Sequence, residues 1–148
     1  MITRRSFVCA GGAALACGAV PYAAAQLLPT VTVYKSATCG CCGEWVKHMQ
    51  ANGFRVDTHD VGDVTPFRRR YGVPDQFASC HTAVVAGYAI EGHVPAADIK
   101  RLLRDRSKAK GLAVSGMVVG SPGMEQGPPQ PYATIAFDDR GSWVFGWH

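Results

Sequence analysis

Val31-Thr32-Val33-Tyr34-Lys35-Ser36-Ala37-Thr38-Cys39-Gly40-Cys41-Cys42-Gly43-Glu44-Trp45-Val46 is the stretch on which the reading of the chain turns. Its first four residues are β-branched or aromatic and follow Pro29, which predicts a short strand. Trp45, Val46 and Met49 recur at the three-to-four spacing of an apolar helix face, which predicts a helix over residues 43–52 stopped by Asn52-Gly53. Between strand and helix lie Cys39 and Cys42, a C-x-x-C pair with Cys41 as an extra thiol inside it. A helix start carries unsatisfied N–H groups and a partial positive charge, and both stabilise a thiolate over a thiol.

Working outward, residues 55–61 read as a second strand and residues 64–71 as a short basic helix closed by Gly72 and Pro74. In that helix Arg68-Arg69-Arg70 is expected on a solvated face. Residues 82–88 are the most apolar strand candidate, with residues 89–94 pairing back through Gly87. Pro95 opens a helix to about residue 105 that turns Ile99, Leu102 and Leu103 inward. Residues 106–131 form a long Gly- and Pro-rich connection, and connections of such length are often functional. Residues 132–137 and 142–147 then make a hairpin around Asp138-Asp139-Arg140-Gly141. This order predicts an α/β fold, with the first two strands made parallel neighbours by a right-handed crossover. It is the order of a thioredoxin-like mixed sheet with flanking helices, here followed by a C-terminal β-hairpin extension.

In that arrangement the loop entering the strand at 82–88 packs on the C-x-x-C turn, so Cys80, in Ser79-Cys80-His81-Thr82, joins the other thiols. His81 is then nearby, as a ligand or as a partner that orients one. Four converging thiols can serve as two disulfides, as a zinc site or as a soft-metal site. Adjacent Cys41 and Cys42 fit poorly around one compact zinc ion and better as bridging sulfurs of a multinuclear thiolate cluster, which favours Cu(I) over zinc. Met117 and Met124, in the long connection, offer soft thioethers for Cu(I), or pack as gap-filling side chains. His48, His59, His93 and His148 lack metal-ligand spacing and read as surface or structural.

The 148 residues include 47% apolar and 18% charged types, with a formal net charge of +4, which suits one soluble domain and excludes a disordered or multi-span chain. Thr3-Arg4-Arg5-Ser6-Phe7, the small apolar run to Val20 and Ala23-Ala24-Ala25 have the pattern of a twin-arginine signal peptide. Residues 1–25 are therefore expected to be removed on export to the bacterial periplasm, leaving 26–148 as the metal-binding domain without a stable membrane span. Arg4 and Arg5 leave with the signal, so the charge drops from +4 to +2, too little to argue for nucleic acid.

The motifs Val31-Thr32-Val33-Tyr34-Lys35, Cys39-Gly40-Cys41-Cys42, Ser79-Cys80-His81-Thr82-Ala83-Val84-Val85, Glu91-Gly92-His93-Val94-Pro95 and Gly120-Ser121-Pro122-Gly123-Met124-Glu125 together resemble the CopG-like family. These are thioredoxin-related periplasmic metal-binding proteins, and the resemblance runs from about residue 30 to 147. It implies a role in copper resistance, Cu(I) held by Cys39, Cys41, Cys42 and Cys80, and exchange of electrons between copper and disulfides. Copper ions, and other periplasmic copper-resistance proteins, are the expected partners. The competing expectation is a thiol–disulfide oxidoreductase acting on periplasmic proteins, with Cys39 as nucleophile and Cys42 as resolving thiol. A structural zinc domain ranks third.

Overall fold

The computed structural model describes residues 27–148. The expected signal peptide lies outside them, and among the described residues no helix is long and apolar enough to cross a membrane. Strand β1 (Val31–Lys35) buries Val31 and Val33 and leads through a turn into helix α1 (Gly40–Ala51). The helix starts at Gly40, three residues before the expected point, so the cysteines lie on its first turn and Cys39 caps it in extended conformation. Cys42, Trp45, Val46 and Met49 form its buried face. Strand β2 (Val56–Asp60) pairs parallel to β1, as the crossover rule requires of a strand returned by a helix.

Helix α2 (Thr65–Arg70) and a 3₁₀ turn at Asp75–Phe77 lead to β3 (His81–Val85), antiparallel to β1. Strand β3 turns directly into β4 (Tyr88–Glu91) through Ala86-Gly87, with φ of 47° and 87°, the left-handed pair that a two-residue hairpin turn demands. Helix α3 (Ala96–Asp105) then crosses to β5 (Gly111–Ala113), parallel to β4. Strands β6 (Ala133–Asp138) and β7 (Gly141–Trp147) form the expected terminal hairpin. The seven strands make one mixed sheet in the order β2-β1-β3-β4-β5-β6-β7.

The structure departs from the sequence expectation at residues 111–113 and at Arg68. The connection at 106–131 is not without structure: Gly111-Leu112-Ala113 is fully buried and bridges β4 to β6, so the hairpin continues the main sheet. Three residues opened by a glycine are too short to register as a periodic signal. Arg68 is not on a solvated face; it is buried and paired with Glu91, whereas its neighbours Arg69 and Arg70 are exposed. A buried guanidinium needs a carboxylate placed by tertiary structure, and no local pattern announces one.

The core lies between the sheet and helices α1 and α3, where Val31, Val33, Trp45, Met49, Ala83, Val85, Ile90, Ile99, Leu102 and Leu112 pack together. The cysteines gather at one end of the sheet. At that end β1 leaves, β3 enters and β4 and β5 leave, because Lys35 pairs with His81, Thr82 with Glu91 and Glu91 with Ala113.

Candidate metal centre

Register brings the cysteines together. Lys35 at the end of β1 stands opposite His81 at the start of β3, so the turn that follows β1 and the residue that precedes β3 are neighbours. The sulfur of Cys41 is 3.6 Å from that of Cys39 and 3.9 Å from that of Cys80. One sulfur from each of Cys39, Cys41, Cys42 and Cys80 lies within 4.8 Å of all the others, close enough for a metal ion or a small cluster. Cys39 and Cys42 are joined as a disulfide across a Cα separation of 5.3 Å, within the ordinary range for such a bond, while Cys41 and Cys80 are free thiols.

Cys80 is held from below by a buried polar network. Glu91, fully buried, accepts from the Ser79 backbone N–H at 2.7 Å, from the Thr82 hydroxyl at 2.6 Å and from Arg68 Nε at 2.9 Å. Arg68 also donates to the Ser79 carbonyl at 2.7 Å, so the ion pair grips both sides of the residue before Cys80. Gly92 permits this approach: with φ of 70°, its Cβ would stand 2.6 Å from the Val114 carbonyl and 2.7 Å from the Ser79 hydroxyl.

On the far side of Cys80 stand two fully buried imidazoles, His81 and His93. His81 Nδ1 is 3.5 Å and His93 Nε2 is 3.3 Å from the Cys80 sulfur. The three residues form a second group of ligand atoms within 4.8 Å of one another, sharing Cys80 with the thiol group. Burial drives the His81 pKa down to about 3, with His93 adding to the effect, and burial also lowers that of His93. Burial, and next the neighbouring Cys41, push the Cys80 thiol up to about 11. At neutral pH the metal-free site therefore holds neutral imidazoles and a protonated Cys80, and an incoming metal must displace that proton.

All four cysteines predicted for the site meet there, and His81 lies beside them. Met117 is 58% exposed on the loop after β5, and Met124 is half-buried one residue beyond Gly123, whose backbone packs on the first turn of α1. His93, read from spacing as surface or structural, is buried against Cys80. Its signal was compositional rather than periodic: a histidine between Gly92 and Val94-Pro95 at the exit of an apolar strand. The other histidines support the scaffold, His48 accepting the Ala96 N–H at 3.0 Å and His148 meeting Asp98 at 2.8 Å, while His59 stacks on Tyr34.

The family model described as a protein of unknown function, DUF411, matches residues 77–124, which span Cys80, Glu91, His93 and the loop to Met124. No curated protein matches the chain. Two solved structures, described as form 1 and form 2 of copper resistance protein CopG, are each 44% identical to this chain, with a TM-score of 0.77. Each match covers 82% of this chain and 98% of the solved one. With near-complete coverage of those proteins at that identity, this chain belongs to the CopG family of copper resistance proteins.

Proposed function

We propose that the protein is a copper-handling protein of the bacterial periplasm, exported by the twin-arginine route, which binds Cu(I) through Cys39, Cys41, Cys42 and Cys80. The observation that carries this reading is the gathering of four sulfurs within 4.8 Å in a chain of the CopG family. Thiolates are soft ligands that favour Cu(I), and the vicinal pair Cys41-Cys42 suits sulfur bridges between copper ions better than a single zinc ion. The His93 nitrogen, neutral and 3.3 Å from the Cys80 sulfur, supplies a further donor at the edge of the group.

The Cys39–Cys42 pair gives the site a redox function. Two Cu(II) ions oxidise the dithiol: two protons leave, one S–S bond forms, and two Cu(I) ions result. The disulfide form then contributes no thiolates from Cys39 and Cys42, so electron transfer and copper retention are linked. The strand order β2-β1-β3-β4, with the C-x-x-C turn at the start of α1, supports the thioredoxin-like reading behind this chemistry.

The same disulfide favours a second reading, a thiol–disulfide oxidoreductase in which Cys39 attacks and Cys42 resolves. A Cu(I) titration of the reduced protein, competed against a Cu(I) chelator and against excess zinc, separates the two. The copper reading expects tight Cu(I) binding that zinc does not displace and that weakens in Cys41→Ser. The oxidoreductase reading expects undiminished disulfide exchange in that variant and no tight copper binding.

A further inference from the structure

The loop after β5 returns to the site at one point, and that point is shaped by a glycine. Gly123 has φ of 86°, and a Cβ there would lie 2.8 Å from the Cys41 carbonyl oxygen and 2.8 Å from the Trp45 backbone nitrogen. Both atoms belong to the first turns of α1, so nothing flexible can give way. The loop is otherwise well anchored: Ser121 is fully buried and donates to the Val118 carbonyl at 2.6 Å, and Glu125 accepts the Gly123 N–H at 2.9 Å. One residue before Gly123, the Pro122 carbonyl lies 2.8 Å from His93 Nδ1.

A carbonyl oxygen can only accept, so this bond puts the ring proton of neutral His93 on Nδ1. Nε2 is then the nitrogen with the free lone pair, and it faces the Cys80 sulfur. Histidines that ligate metals commonly have their ring orientation and tautomer fixed by a carbonyl in this way.

From this geometry we infer that Pro122-Gly123 is a positioning element for the metal centre: Gly123 seats the loop on α1 so that the Pro122 carbonyl holds His93 with Nε2 turned to Cys80. The inference deepens the proposed copper function and rests on it for its effect on metal affinity. The tautomer does not depend on that function. The site is thus assembled across four segments that share no local pattern, and to the orientation of His93 the loop contributes a backbone atom and an absence of side chain. The close seat of Gly123 against α1 is a condition for nitrogen ligation by His93, independent of the methionines on either side of it.

Long-range ¹H–¹⁵N spectra of the full metal-free protein test this, with His48 as an internal reference because its Nε2 accepts the Ala96 N–H. The expected result is an Nδ1–H tautomer for both residues in the unaltered protein. In Gly123→Ala the His93 signal shifts away from that tautomer while His48 keeps it, and Cu(I) affinity falls about 10–100-fold, the usual effect of losing an outer partner of a metal-binding histidine. An Nε2–H tautomer of His93 in the unaltered protein overturns the inference without any variant. So does a folded Gly123→Ala protein with unchanged tautomer. If neither protein binds copper but the tautomers behave as stated, the positioning role stands and the copper function fails.

Discussion

The two sides of Cys80 are built in different ways. On one side lie Cys39, Cys41 and Cys42, carried within four consecutive residues on the first turn of α1 and partly open to solvent except for Cys42. On the other side lie His81, His93, Glu91 and Arg68, all buried and contributed by separate elements, with hydrogen bonds that lock Glu91, Arg68 and His93 and reach as far as Pro122. The sulfur side owes its geometry to a helix start. The imidazole side owes its geometry to the register of β3 and β4 and to a buried ion pair. The difference teaches that reactivity is placed where the backbone is locally defined and accessible, while orientation is placed where the core can hold it.

If this contrast is right, damage on the buried side should cost stability first. Glu91→Gln leaves the Arg68 guanidinium buried without its counter-charge, and should destabilise the metal-free protein by about 3–5 kcal/mol. Chemical denaturation measures this, and a loss below about 1 kcal/mol, typical of an exposed pair, would place the network at the surface in solution.

Cys80→Ser tests the residue common to both sides. Serine is close to isosteric, so the fold should survive with little change in denaturation midpoint. Copper affinity should fall by more than the roughly 10–100-fold expected for losing an outer partner. Unchanged copper stoichiometry with unchanged affinity would confine the site to α1.

His93→Gln sharpens the comparison further. It should weaken copper binding by a smaller factor than Cys80→Ser, and leave the rate at which reduced Cys39 reacts with a thiol reagent unchanged, since that rate belongs to the helix start. A slowed Cys39 would show that the two sides are not separable. The smallest effect is expected for Met117→Leu, which alters an exposed side chain and should leave copper affinity within experimental error.

The sequence made the sulfur side legible because a C-x-x-C turn between a β-branched strand and an amphipathic helix is a local pattern. It also made Cys80 legible, though only through the topology that the order of elements implied. The Arg68–Glu91 pair was not legible, and His93 was legible only weakly, through its place between Gly92 and Val94-Pro95. A buried histidine and an exposed one look alike without a partner, and Arg68 sits in a run of three arginines of which the other two are solvated. Strand β5 was lost for a related reason: three residues carry no period, and its pairing with Ala89, Ile90 and Glu91 exists only once α3 has crossed over. What escaped the sequence was in each case defined by a contact between distant segments.

The most direct test of the central claim is X-ray absorption at the copper edge on the reduced, copper-loaded protein, compared with Cys80→Ser prepared identically. Copper held by the four cysteines gives an edge position of Cu(I), a first coordination shell dominated by sulfur, and fewer sulfur neighbours per copper in the variant. A shell of nitrogen and oxygen alone, or the same sulfur shell in both proteins, would contradict it.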